Sequence, residues 1–290
     1  MNSQDYSAIS FPSLGIEINP GRGFDLGPLS INYYGVIIAL GLLLAVFYGC
    51  RRAKQFGFRE DDILDGVLWV TPFAILCARA YYCIFQWEIY AADPVSVLYI
   101  WNGGLAIYGG VLGAAIGVTV YARIKRIKLP ALLDLVALGF LIGQALGRWG
   151  NFFNREAFGE ATKGFWRMGL LNHITEKWEY YHPTFLYESA WNALGFVLLH
   201  FLSKYRKYDG QIALGYVAWY GLGRAFIEGL RMDSLMIGEF RVSQLLAAGS
   251  CALAVAALIA LQFVRHKPLF ATRLQEQPAE DPVKPEETGI

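Results

Sequence analysis

Ile31-Asn32-Tyr33-Tyr34-Gly35-Val36-Ile37-Ile38-Ala39-Leu40-Gly41-Leu42-Leu43-Leu44-Ala45-Val46-Phe47-Tyr48-Gly49-Cys50 carries no charged side chain, and Arg51-Arg52-Ala53-Lys54 follows at once. A helix crossing the hydrocarbon of a bilayer needs about 20 such residues. Comparable apolar runs recur along the chain. Seven spans are expected, roughly 31–50, 63–85, 104–121, 132–146, 185–202, 212–228 and 242–264. The backbone of each span must bond internally in lipid, which a helix does and an isolated strand does not. The expected fold class is therefore all-α, a polytopic membrane protein with seven transmembrane helices.

The charges between the runs set an orientation. Arg51, Arg52, Lys54 and Arg59 follow the first run, and Arg123, Lys125, Arg126 and Lys128 follow the third. Lys204, Arg206 and Lys207 follow the fifth, and Arg265 and Lys267 the seventh, whereas residues 86–103 hold no Lys or Arg. Cytoplasmic loops carry the excess of basic residues. The N-terminus is thus expected outside and the C-terminus in the cytoplasm. This divides the chain into an extracytoplasmic arm over 1–30, a seven-helix catalytic domain over 31–264 with an outer loop at 147–184, and a disordered cytoplasmic tail over 265–290. The outer loop is an exception to the rule, since it carries basic and acidic residues alike, but long segments translocate despite their charge. The first thirty residues lack a basic stretch followed by an apolar one, so no cleaved signal peptide is expected.

Composition agrees. Of 290 residues, 55% are hydrophobic and 15% aromatic, and the mean hydropathy is +0.35, more apolar than a soluble domain of this size. A net charge of +1 gives no global argument for nucleic acid. Cys50, Cys77, Cys83 and Cys251 lie in or beside apolar runs without a C-x-x-C pair, and are expected as free thiols. No cluster has metal-ligand spacing, so neither metal nor cofactor is expected.

Polar residues within apolar sequence carry the chemistry. The richest stretch is Gly147-Arg148-Trp149-Gly150-Asn151-Phe152-Phe153-Asn154-Arg155-Glu156-Ala157-Phe158-Gly159. Glycine admits close approach of backbone to a ligand, and arginine offers a planar fork of donors suited to phosphate. The plainer alternative is a helix end with snorkelling arginines and capping asparagines. Arg224, Glu228 and Arg231 share one face if the helix continues through them. A cation at bilayer depth costs about 2.5–3.5 kcal/mol, so Arg224 needs a partner, and Glu228 stands one turn away. Arg79 sits alone in Ala74-Ile75-Leu76-Cys77-Ala78-Arg79-Ala80. His182 precedes Pro183 at the start of the fifth run, Tyr108 lies between two glycine pairs at the start of the third, and Tyr34 opens the first. Capping, small-residue packing and an aromatic belt are the respective structural readings. The topology puts all of these at the outer leaflet, where independent anchors would scatter over both, and this favours a site that holds an anion.

These segments resemble the bacterial prolipoprotein diacylglyceryl transferase family. Residues Gly147 to Gly159 fit the family pattern G-R-x-G-N-F-x-N-x-E-x-x-G throughout, and the likeness extends to Tyr34-Gly35, Arg79 and the 102–110, 182–188 and 224–231 segments. The resemblance implies a multi-pass enzyme of the bacterial inner membrane with its site toward the outer leaflet. It would transfer the diacylglyceryl group of phosphatidylglycerol to the lipobox cysteine thiol of a preprolipoprotein signal peptide, releasing glycerol 1-phosphate. Its partners are then phosphatidylglycerol, membrane lipid and the preprolipoprotein, and no nucleic acid. Arg148, Arg224, Glu228, Tyr108, Glu156 and Asn151 are the expected catalytic residues. Tyr34, Arg79, Asn154, Gly159, His182 and Arg231, with Arg148 and Arg224, are the expected substrate contacts. Tyr108 stands where many members carry His, and Asn102 where an Asp is common, which leaves the thiol's base open between Tyr108, His182 and none. An anion transporter and a non-catalytic phospholipid-binding protein are the competing readings. An intramembrane protease is disfavoured, since Asp65 and Asp134 fall near the cytoplasmic ends of their helices and no G-x-S-x-G occurs.

Overall fold

The computed structural model describes residues 6–27, 29–232, 236–237 and 240–272. It is mostly helical, at 67%. The long helices are α1 (Tyr33–Phe56), α2 (Glu60–Phe85), α4 (Ile107–Ile124), α5 (Leu129–Asn154), α6 (Thr184–Leu202), α7 (Gln211–Glu228) and α8 (Val242–Gln262), with a single turn, α3 (Trp87–Tyr90), after α2. Each expected span falls on one of the seven long helices. Six are long and apolar enough to cross a membrane, and α7 is outside that set. It is 18 residues long and carries Arg224 and Glu228 within its length.

Small residues set the helix spacing. Glycine faces let backbones approach where lipid supplies no hydrophobic drive between helices. Gly109 and Gly113 of α4 lie on α2 so closely that a Cβ at Gly109 would stand 2.5 Å from the Cys77 carbonyl oxygen. Gly41 of α1 packs beside Gly143 of α5. Between α6 and α7, Trp191 and Trp219 stack with centroids 4.2 Å apart, Trp191 seated on Gly223 and Trp219 on Gly195. Each indole N–H donates to the other residue's carbonyl at 2.9 Å. This reciprocal clasp fixes the register of α6 against α7.

The N-terminal arm is not loop. Strands β1 (Tyr6–Phe11), β2 (Ile16–Ile18), β5 (Met168–Asn172) and β6 (Lys177–Tyr181) form an antiparallel sheet in the order β2-β1-β5-β6. Strands β3 (Gly23–Leu26) and β4 (Leu29–Asn32) form a hairpin leading into α1, and β7 (Met236–Ile237) with β8 (Phe240–Arg241) another before α8. The all-α expectation missed these sheets. The four-stranded sheet buries Ile9, Met168 and Leu170 against Phe152 and Phe185 at the α5 and α6 ends. Buried Arg155 ties it on, donating to the carbonyls of Ser7 and Pro20, both at 2.6 Å.

Two boundaries also move. Helix α5 runs past 146 to Asn154, because Trp149 and Phe152 have apolar partners there, and it ends at Arg155 in the left-handed region. Arg148, Asn151 and Asn154 are therefore helical, not loop. Of the tail read as disordered, residues 265–272 are described, with His266 and Leu269–Ala271 partly buried, and 273–290 lie outside the described residues, as do 1–5 and 28 of the arm. His266 stacks on Tyr208, and the Phe270 amide donates to Asp209 at 3.0 Å. Ala271 lies so near Gly57 that a Cβ there would meet its Cα at 2.9 Å. The four cysteines are free.

Candidate active site

The C-terminal ends of α5 and α7 meet the N-terminal end of α6. At their junction Glu188, in the second turn of α6, takes Arg148 Nη2 on one oxygen at 2.5 Å and Arg224 Nη1 on the other at 3.0 Å. Arg231 also reaches it, at 3.2 Å. Glu228 holds Arg224 Nη2 at 2.5 Å and lies 4.0 Å from Arg231. Two carboxylates thus organise three arginines from three segments. Arg231 is not on the α7 face as expected, because the helix ends at Glu228; it lies beyond, bridged to Gly159.

Burial is uneven within this cluster. The side chains of Glu188 and Glu228 are 4% and 2% exposed, while Arg148 and Arg224 keep 22% and 18%. The acids are thus closed off while the two arginine side chains keep some exposure, so a second anion has more access to the arginines than to the carboxylates. The α5–α6 contact that aims Arg148 is local. Trp149 donates to the Ser189 hydroxyl at 3.1 Å, and that hydroxyl donates to the Ala145 carbonyl at 2.8 Å.

A polar chain extends from Arg148. Its Nη1 donates to Asn151 Oδ1 at 3.1 Å, and Asn151 Nδ2 donates to Glu156 Oε1 at 2.9 Å. Asn154 Nδ2 meets the same oxygen at 3.2 Å. Glu156 therefore orients the two amides and not an arginine. Asn154 in turn lines a cavity of about 410 Å³ with Arg22, Asn32, Tyr34 and Gly35. The Tyr34 ring lies against Gly150, where a Cβ would stand 2.5 Å from the ring. Gly159 closes the other side. Its amide donates to the His182 carbonyl at 2.9 Å, and a Cβ would meet His182 and the Leu230 oxygen, both at 2.8 Å. His182 Nδ1 lies 3.3 Å from the Tyr187 hydroxyl.

Two expected residues stand apart. Arg79 is 5% exposed, and its guanidinium donates to the carbonyls of Val97, Gly103, Gly104, Ser96 and Tyr99 at 2.7–3.4 Å. An arginine has five N–H donors. All of them are engaged in holding the loop between α3 and α4, with none left for a substrate. Tyr108 opens α4 and is 68% exposed, its hydroxyl without a hydrogen-bond partner among the described residues.

Sequence reasoning passed over three participants. Glu188 received no role of its own, although an acid in Phe185-Leu186-Tyr187-Glu188-Ser189-Ala190-Trp191 signals a cation partner. Arg241, which donates to the Glu228 carbonyl at 2.6 Å and pairs with Glu160 at 3.0 Å, gave no local signal, and neither did Arg22 in the cavity.

Outside the helices, ionisation reinforces the sheet. The Tyr181 hydroxyl, donating at 2.6 Å, does more than the Tyr6 hydroxyl and the Asn172 amide to hold the Glu179 carboxyl below its usual range. That contribution is present at neutral pH and is lost as pH falls through the lowered carboxyl range. Burial first, and Glu179 second, push the Tyr181 hydroxyl up. Burial, with Arg22 nearby, draws Arg155 down.

Comparison with known proteins places these residues in a family. Residues 22–260 match the family model of the prolipoprotein diacylglyceryl transferases. The phosphatidylglycerol–prolipoprotein diacylglyceryl transferase of Bacillus licheniformis is 46% identical over 250 residues, covering 84% of this chain and 92% of that protein. The protein of the same name from Limosilactobacillus reuteri is 45% identical over 259 residues, 86% of this chain and 92% of its own length. That from Listeria monocytogenes is 43% identical over 228 residues, covering 77% and 82%. The chain, a membrane protein with three of its arginines gathered on buried carboxylates, belongs to the prolipoprotein diacylglyceryl transferase family.

Proposed function

We propose that this protein transfers the diacylglyceryl group of phosphatidylglycerol to the lipobox cysteine thiol of a preprolipoprotein, the first step of bacterial lipoprotein maturation, with release of glycerol 1-phosphate. One observation carries the reading beyond kinship: Arg148 and Arg224 meet at a single carboxylate, and their side chains are more exposed than that acid.

The substrate sulfur attacks the glycerol carbon that bears the phosphodiester. A C–S bond forms, the C–O bond breaks, and its electron pair stays on the phosphate oxygen. The phosphodiester monoanion becomes a phosphate monoester dianion, so negative charge grows at phosphorus as the bond breaks. Cations already in place stabilise that growing charge more than they stabilise the bound lipid, which is how a site accelerates a reaction. Arg148 and Arg224 hold the phosphate, Glu188 and Glu228 fix their orientation, and Arg231 supports both acids. Asn151, Asn154 and Tyr34 contact the glycerol head, with Glu156 aligning the two amides, and Gly159 lets the chain close beside His182. The thiol's proton leaves through Tyr108 or His182 to water. A free thiol with a pKa of about 8.5 is already a few per cent thiolate at neutral pH, so the base has little to do.

The topology belongs to the same proposal. Helix α7 completes the set of seven spans as the sixth in chain order, its Arg224 and Glu228 made tolerable in lipid by each other and by Glu188. Basic loops then assign the N-terminus to the outside, the C-terminus to the cytoplasm and the arginine cluster to the outer leaflet of the bacterial inner membrane. The arm over 1–30, the helical domain over 31–264 and the segment 147–184 remain as units of that layout.

The test combines purified protein, phosphatidylglycerol and a lipobox peptide, read by mass spectrometry. The expected outcome is a cysteine mass gain of one diacylglyceryl group, matched one for one by glycerol phosphate. An unmodified peptide beside bound lipid leaves only a lipid-binding protein.

A further inference from the structure

About 10–17 Å from Arg224 along α7, at 1.5 Å of rise per residue, a second cavity opens among the N-terminal parts of α5 and α7 and the C-terminal end of α8. Its volume is about 560 Å³. The apolar walls come from Leu133 of α5, Ala213, Leu214 and Val217 of α7, and Leu261 of α8. The polar lining is Lys128, Tyr208, Asp209, His266 and Lys267. None of these residues belongs to the arginine cluster.

Three features give the cavity the character of an amphiphile site. First, its cations are at hand. Lys267 is exposed and has no carboxylate partner among the described residues, and Lys128 is 35% exposed, paired at 2.8 Å with Asp209. Second, Leu133 and Val217 present exposed apolar faces on helices that cross the membrane. Third, the Tyr208 hydroxyl and Asp209 Oδ1 are buried polar atoms without a hydrogen-bond partner among the described residues. Such atoms are rare and cost about 1–3 kcal/mol when left unsatisfied. Asp209 Oδ2 is taken by Lys128 and the Phe270 amide, so its other oxygen calls for a donor. A free anion would answer the lysines alone. A phospholipid whose head group carries both phosphate and hydroxyl answers all three features.

We propose that this cavity holds an anionic phospholipid with a hydroxyl-bearing head group. Its phosphate lies on Lys267 and Lys128, its head-group hydroxyl reaches toward Asp209 and Tyr208, and one acyl chain follows Leu133, Leu214 and Val217. The lipid is a resident of the leaflet opposite the reaction, not a substrate.

Photo-crosslinking in nanodiscs tests this, with phosphatidylglycerol bearing a diazirine in its acyl chain set against phosphatidylcholine bearing the same chain. Phosphatidylglycerol is expected to label the peptides containing 213–217 and 261 at least fivefold more than phosphatidylcholine. Lys267→Glu should abolish that preference, and Leu214→Trp, which fills the chain's path, should halve the labelling or more at an unchanged melting temperature. Arg148→Ala, at the other end of the helices, should leave both intact. Equal labelling by the two lipids, or a preference indifferent to Lys267→Glu, overturns the proposal. So does competition by soluble glycerol phosphate as complete as that by lipid, which would assign the lysines to a free phosphate ester. Transfer activity is not the readout, so this outcome and that of the mass-spectrometric assay are separate.

Discussion

Arg79 and Arg224 are both arginines inside apolar helices, and their surroundings differ in kind. Around Arg79 the acceptors are five backbone carbonyls of one loop. Around Arg224 they are two carboxylates, one from its own helix and one from α6. Carbonyls spread over one fork use every N–H and fix a loop. A carboxylate shared among arginines aligns them while part of each arginine side chain remains exposed. A buried arginine is therefore no mark of a site by itself; the mark is that its partners come from separate segments and that the arginine is more exposed than the acid.

The strongest way to break this contrast is Arg148→Lys or Arg224→Lys. A point charge cannot give two parallel bonds, so turnover should fall about 10²–10³-fold, with the protein still folded. Near-full activity in either variant, measured by glycerol phosphate release, would remove bidentate phosphate binding. Glu188→Gln should come next, with kcat about 10²-fold lower as Arg148 and Arg224 lose their common anchor. Because a negative charge has gone, glycerol phosphate should inhibit that variant more strongly than the parent. Weaker inhibition would mean that Glu188 is only packing.

Arg79→Met should act on stability instead. Stranding buried carbonyls should cost about 3 kcal/mol, seen as a lower melting temperature and faster proteolysis within 93–104, with the KM for phosphatidylglycerol unchanged. A raised KM at unchanged stability would return Arg79 to the substrate. The smallest effect is expected of Tyr108→Phe, less than about tenfold at neutral pH and vanishing above the thiol's own pKa of about 8.5. A pH-independent loss would give the hydroxyl a role other than proton transfer, and no loss at all would exclude it.

How far the sequence could be read follows the same division between local and long-range causes. Hydropathy is a property of neighbouring residues, so all seven long helices were legible. The Gly147 to Gly159 stretch was legible as a polar cluster because its residues crowd together, and Arg148, Asn151, Asn154 and Glu156 do form one hydrogen-bonded chain. Glu188 meets Arg224 across 36 residues, through a register that the Trp191 and Trp219 clasp sets, and no local pattern carries that information. The reach of Arg231 beyond the end of α7 was illegible for a similar reason, since a bridge to Gly159 holds it. The sheet is a different case. Lys177-Trp178-Glu179-Tyr180-Tyr181 pairs with the nearby β5 as a hairpin, but the strand that β5 takes on its other edge, β1, lies far up the chain. The packed part of the tail had one clue, Leu269-Phe270 in a polar setting.

The position of Glu188 also bears on how the chain enters the membrane. Arg148 leaves the ribosome with α5 before its acid exists, and Glu188 arrives with α6 while Arg224 is 36 residues away. Each charge alone opposes partition into lipid by a few kcal/mol. Helices α5, α6 and α7 are accordingly interdependent: each brings a charge whose partner lies on another, so the arginine cluster is complete only once the third has been made.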